Sequence, residues 1–138
     1  MLTKTDVRVL ELFASRIVDS FTIREVSRLI GKDLKIVHTS VRKLIDECFL
    51  LKGKHDGLRL DYRKNVRALA YIEGIRAEDF LRRNALVKVG LGRILEKSET
   101  KLFILLVFGS YASGTHTRKS DIDILAVLPA YDEEFERM

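Results

Sequence analysis

Seven consecutive apolar residues, Leu102 to Phe108, stop on Gly109-Ser110, and a second apolar run opens further on as Ser120-Asp-Ile-Asp-Ile-Leu-Ala-Val-Leu. An unbroken run of this length reads as a β-strand buried on both faces. It is far short of the ~20 residues that a membrane-spanning helix needs. The second run reads as another strand. Side chains alternate along a strand, so Asp121 and Asp123 share one face while Ile122, Ile124 and Ala126 share the other. Two such carboxylates stand roughly 6–7 Å apart, and at an effective dielectric of ~20 they repel by about 2–3 kcal/mol. A fold rarely places both beside a buried strand unless a cation or strong donors offset that repulsion. Mg²⁺ suits the pair, because it takes oxygen ligands and shares them with phosphates. Gly109-Ser110 supplies a complement. Glycine lets a phosphate approach the backbone closely, and a helix opening at Ser110 turns free N–H groups and a hydroxyl toward an anion. Read from the residues alone, a strand-end turn with two solvated aspartates remains the alternative.

Phe108-Gly-Ser-Tyr-Ala-Ser-Gly followed by Ser120-Asp-Ile-Asp-Ile resembles the signature of the polymerase-beta-type nucleotidyltransferase superfamily. It is most similar to the small prokaryotic members, the minimal nucleotidyltransferases. The resemblance implies that Gly109 and Ser110 hold a nucleoside triphosphate. It also implies that Asp121 and Asp123 are catalytic and bind the Mg²⁺ ions that organise nucleotidyl transfer. Two departures stand out. Ser113 occupies a position where members often carry a basic residue, for which Arg118 or Lys119 compensates. Active members also use a third carboxylate on a later strand. Here Glu133, Glu134 and Glu136 fall on a segment, Tyr131 to Arg137, that reads as a helix, and they are not assigned that role. Loss of a catalytic base typically costs ~10²–10⁴ in rate. The expectation is therefore either a fragment of a longer protein or a domain that binds nucleotide with little turnover.

The other end of the chain has a different character. Residues 1–70 hold 15 Lys and Arg against 9 Asp and Glu, a net charge of +6, while residues 71–138 net −1. Val7, Leu10, Phe13, Ala14 and Ile17 draw one helical stripe over residues 6–18. Thr22 with Glu25 three positions on is a capping box. The helix it opens, Ile23 to Ile30, is expected to bury Ile23, Val26, Leu29 and Ile30 and to stop at Gly31. A third helix starts near Asp33 and ends near Cys48, with Val37, Val41, Leu44 and Ile45 on its apolar face. Leu58, Leu60 and Tyr62 then alternate after Asp56-Gly57, a favoured two-residue hairpin turn. Three short helices and a hairpin over about residues 4–65 resemble the winged helix-turn-helix superfamily. If the third helix enters a major groove, Lys35, His38, Thr39, Arg42 and Lys43 form its DNA-binding face. Lys52, Lys54 and Arg59, with His55, line the wing against phosphates. The alternative is a protein-docking winged helix with a merely solvated basic face.

Asn65 to about Ser98 reads as helical, with a division between Gly74 and Glu78. Gly90 and Gly92 weaken the second helix by ~1 kcal/mol each relative to alanine. Apolar residues at 46% and charged residues at 33% fit a globular protein rather than a disordered one. Cys48 is the only cysteine, which excludes an intrachain disulfide and a cysteine-based zinc site, and a small buried apolar role is expected for it. The start, Met1-Leu-Thr-Lys-Thr-Asp, lacks an apolar signal core, so a cytoplasmic protein without a membrane anchor is expected.

The fold class expected is α+β. A winged helix-turn-helix spans residues 1–70, connecting helices span 71–100, and an abbreviated nucleotidyltransferase α/β core without its third-carboxylate strand spans 101–138. The functional reading is a DNA-associated nucleotidyltransferase homologue that binds NTP with Mg²⁺ and double-stranded DNA. The alternative is a non-enzymatic winged-helix transcriptional regulator, or an antitoxin-like protein with a protein partner. A homodimer is expected, because the two apolar strands leave an uncovered edge.

Overall fold

The computed structural model describes residues 1–97 and 104–129, and the side chain of Lys54 lies outside the described set. The chain forms two compact units, Met1–Phe80 and Leu81–Met138. None of the described helices is long and apolar enough to cross a membrane.

The first unit begins with α1 (Lys4–Ser15), α2 (Ile23–Ile30) and α3 (Leu34–Asp46). Each starts on a side-chain cap. Thr3 and Asp6 cap each other's backbone at the head of α1, and Thr22 and Glu25 do the same for α2. The Asp33 carboxylate accepts the Lys35 N–H at the head of α3. Gly31, at φ +63°, closes α2 in the left-handed conformation expected of it. Strands β1 (Leu50–Lys52) and β2 (Leu58–Leu60) pair antiparallel, Leu50 opposite Leu60 and Lys52 opposite Leu58. Phe21, between α1 and α2, adds an isolated antiparallel bridge to β2 by exchanging backbone hydrogen bonds with Leu58 at 3.1 and 2.8 Å. Helices one to three followed by a hairpin, with this bridge between the first two helices, form a winged helix. Its core is Val9, Leu10 and Phe13 of α1, Phe21, Val26, the Val37–Val41–Leu44 face of α3, the strand residues Leu50, Leu58 and Leu60, and Ile72. Phe13 and Phe21 meet edge to face with ring centroids 5.4 Å apart. Ile72 belongs to α4 (Val66–Arg83).

Several expectations are corrected here. Helix α1 ends at Ser15, so Ile17 leaves the stripe and is exposed. Leu29 is also exposed, because Val26 alone of its helix faces fully inward. Cys48 is exposed rather than buried. It sits at φ +60°, in the left-handed turn that swings the chain from α3 so that Phe49 enters the core. The hairpin turn is centred on neither Asp56 nor Gly57 as a pair. Gly53 N–H donates to the Gly57 carbonyl, which leaves a three-residue loop, Lys54–Asp56, with His55 and Asp56 both at positive φ. The division between the two middle helices falls at Asn84, not between Gly74 and Glu78. Helix α4 runs through Gly74 unbroken.

The second unit contains α5 (Ala85–Lys97), β3 (Ile104–Phe108), α6 (Gly109–Ser113) and β4 (Asp123–Val127). The two strands are antiparallel, in the register Ile104–Val127, Leu106–Leu125 and Phe108–Asp123. Strand β3 is not buried on both faces. Ile104, Leu106 and Phe108, with Leu125 and Val127, are exposed, while Leu105, Val107, Ile124 and Ala126 are half-buried. Because the exposed face is itself apolar, the sequence conceals the alternation. Leu102 and Phe103, which begin the predicted strand, and the Tyr131–Arg137 segment lie outside the described residues.

Candidate nucleotide site and nucleic-acid face

Strand β3 delivers the chain to Gly109, which takes φ +68° and opens the single short turn of α6. Gly114, at φ +73°, ends it, and the Thr115 N–H returns to the Ser110 carbonyl at 2.9 Å. The loop then crosses to β4. Register brings Asp123, the first residue of β4, opposite Phe108. Its carboxylate consequently lies against the α-carbon of Gly109. A Cβ built there would overlap Oδ2 and stand 3.2 Å from Cγ. No other residue permits both this backbone turn and this carboxylate position. Asp121 precedes the strand by two residues and, like Asp123, is exposed, whereas Ser110 is half-buried. The structure thus brings Asp123 against Gly109, the residue before Ser110, while Asp121 lies in the loop two residues before β4.

Among the described residues there is no group of three or more His, Cys, Asp and Glu placed to hold a metal. The two exposed aspartates suit Mg²⁺ by donor chemistry: both offer carboxylate oxygens, and this cation commonly takes one or two carboxylates while keeping waters and phosphate oxygens as its other ligands. Glu133, Glu134 and Glu136 lie outside the described residues.

One feature of this unit was missed in the sequence. Tyr111 is buried and stacks on His116, with centroids 4.1 Å apart and planes 8° from parallel. No spacing rule signals a ring pair formed between a one-turn helix and the loop behind it.

In the first unit, Lys35, His38, Thr39 and Arg42 are exposed on α3, and Lys52 and Arg59 are exposed on the hairpin. His38, Arg42 and the acidic Asp46 line two neighbouring grooves. One, of about 360 Å³, is floored by Ile23, Val41 and Ile45 and edged by Lys52. The other, of about 400 Å³, is edged by Thr39 and Glu47. Lys43 is placed differently from its neighbours. Its ammonium donates to Asp6 Oδ2 at 2.6 Å and to the Met1 carbonyl at 2.7 Å. Asp6 is buried and also accepts from Ser40 Oγ at 2.5 Å and from the Thr3 N–H at 2.7 Å. Burial pushes the Asp6 carboxyl up, but Lys43, Ser40 and Thr3 together outweigh it and hold the group at about 2. The same bond to Asp6 raises Lys43. The knot ties α1 to α3 through Lys43, which is half-buried and also lines the second groove. The Thr3-x-x-Asp6 capping pattern was its available signal.

Residues 92–138 match the family model of the nucleotidyltransferase domain. The match includes Gly109, Ser110, Asp121 and Asp123. A solved structure with some likeness is a MarR family protein, Rv2887, of Mycobacterium tuberculosis, at 22% identity, covering 70% of this chain and 73% of that one with a TM-score of 0.43. Among curated proteins, none matches this chain significantly.

Proposed function

We propose that the second unit binds a Mg²⁺-nucleoside triphosphate and transfers its nucleotidyl group, and that the winged helix attaches this activity to duplex DNA. The placement of the Asp123 carboxylate against Gly109 carries the reading, and the nucleotidyltransferase match over the same residues supports it. Asp121 and Asp123 would hold the metal. When bound, Mg²⁺ neutralises charge developing on the phosphates during in-line displacement. Gly109 leaves room for the Asp123 carboxylate beside the backbone turn, where it would face the metal. The Ser110 hydroxyl donates to a phosphate oxygen. Lys35, His38, Thr39 and Arg42 on α3, with Lys52, Lys54 and Arg59 on the wing, form the proposed DNA face.

The chain is further proposed to be a homodimer. Among the described residues β3 and β4 form a two-stranded sheet with one exposed apolar face, and this supports the proposal.

The nucleotide reading is tested by titrating ATP with and without Mg²⁺ against the parent chain and an Asp121→Asn, Asp123→Asn double variant. The expected result is Mg²⁺-dependent binding that weakens about tenfold or more in the variant, the scale of a lost charge-assisted contact. Equal affinity in all four titrations would reduce the aspartates to a structural feature.

A further inference from the structure

The loop from Gly114 to Ser120 connects the turn at Gly109 to the two aspartates, and two small closures shape it. At its start Thr115 N–H donates to the Ser110 carbonyl at 2.9 Å. At its end Thr117 N–H donates to Ser120 Oγ at 2.9 Å, and Ser120 N–H returns to the Thr117 carbonyl at 3.1 Å. His116 joins the two closures. Its imidazole lies flat on the phenol ring of Tyr111, 4.1 Å away. Tyr111 is only 7% exposed, whereas His116 is exposed. An exposed ring lying flat on a buried one holds the middle of the loop to the body of the unit. Such ring pairs typically shift an equilibrium by about twofold to tenfold beyond the area they bury.

We propose that His116 is a positioning residue for nucleotide binding: its stack on Tyr111 fixes the loop that leads from the Gly109 turn into Asp121 and Asp123. The inference rests on the nucleotide reading of those residues. His116 itself touches no reacting atom. What it supplies is pre-organisation, because a loop already held in its bound course loses less conformational freedom when the ligand arrives. The flat ring is the operative feature, not the ring nitrogens, so phenylalanine should replace it.

The test uses the full chain as parent, His116→Ala and His116→Phe. Arg118 and Lys119 are exposed in the same loop and provide tryptic sites within it. In limited trypsin digestion, cleavage at these two sites should be about twofold to tenfold faster in His116→Ala and unchanged in His116→Phe. Mg²⁺-ATP affinity should fall by a similar factor in His116→Ala and return to the parent value in His116→Phe. If the parent binds ATP but His116→Ala is cleaved at the parent rate, or binds ATP as well as the parent, the positioning role is overturned while the nucleotide site stands. Failure of His116→Phe to restore both readouts also overturns it. A parent that binds no ATP removes the site and overturns both readings.

Discussion

Gly109 and Asp123 compete for one place, and the competition is settled by a hydrogen atom. A methyl group at residue 109 would overlap the Asp123 carboxylate, and it would also sit on a backbone at φ +68°, which costs an L residue about 1–2 kcal/mol. Gly109→Ala is therefore expected to keep its helix content by circular dichroism and to lose Mg²⁺-ATP affinity by about tenfold or more in a binding titration. The motif was legible because Gly109-Ser110 after an apolar run and Asp121-Ile-Asp123 about ten residues on form one ordered signature, although each half alone is ordinary at a strand end. What the sequence left unsaid was that the glycine is required by the aspartate. Asp6 makes the second case. Its folded-state value near 2 lies below the ordinary 3.8, so the stability it contributes is complete above about pH 4 and is lost as pH falls toward 2. The difference is worth about 2 kcal/mol. Asp6→Asn should lower unfolding free energy by about that amount at pH 7 and flatten the pH dependence of urea unfolding between pH 4 and pH 2. This knot escaped sequence reading because its partners, Ser40 and Lys43, are distant in the chain.

Helix α3 illustrates which element-scale features were legible. Its cap, its buried face and its exposed face all follow from local pattern, since Val37, Val41 and Leu44 repeat at helical spacing. The wing loop did not follow, because strand register decides it: Lys52 pairs with Leu58, so Gly57 is used to close the loop rather than to turn it. The boundary between the two middle helices, at Asn84 rather than between Gly74 and Glu78, escapes local pattern for a related reason. Glycine is a weak helix former, yet Gly74 has open space around it and nothing forces a break there. If α3 and the wing contact at least six phosphates, affinity for mixed duplex fragments should fall by ~10³-fold or more between 50 and 200 mM salt. Fluorescence anisotropy measures this directly. Arg42→Ala and Lys52→Ala should weaken binding and reduce the salt slope. Lys43→Ala should instead lower the melting temperature, because its ammonium is engaged with Asp6.

For the whole molecule, the net charge of +5 and pI near 9.4 conceal a division of character between its two ends. The winged unit has a closed apolar core. The second unit leaves Ile104, Leu106, Phe108, Leu125 and Val127 about half exposed on one sheet face. An exposed apolar face of this kind is the ground for the proposed homodimer. Light scattering at micromolar concentration is expected to give twice the 15.9 kDa chain mass, and a value of 15.9 kDa would exclude the dimer. The contact between Gly109 and Asp123 has a consequence for inheritance as well. In lineages that retain the aspartate, a substitution at residue 109 meets backbone strain and also turns the Asp123 carboxylate out of its present place. Once the aspartate is lost, only the strain remains, and asparagine tolerates it well. The two positions should therefore covary among descendants, and an asparagine at 109 would mark a copy that has already given up its carboxylate.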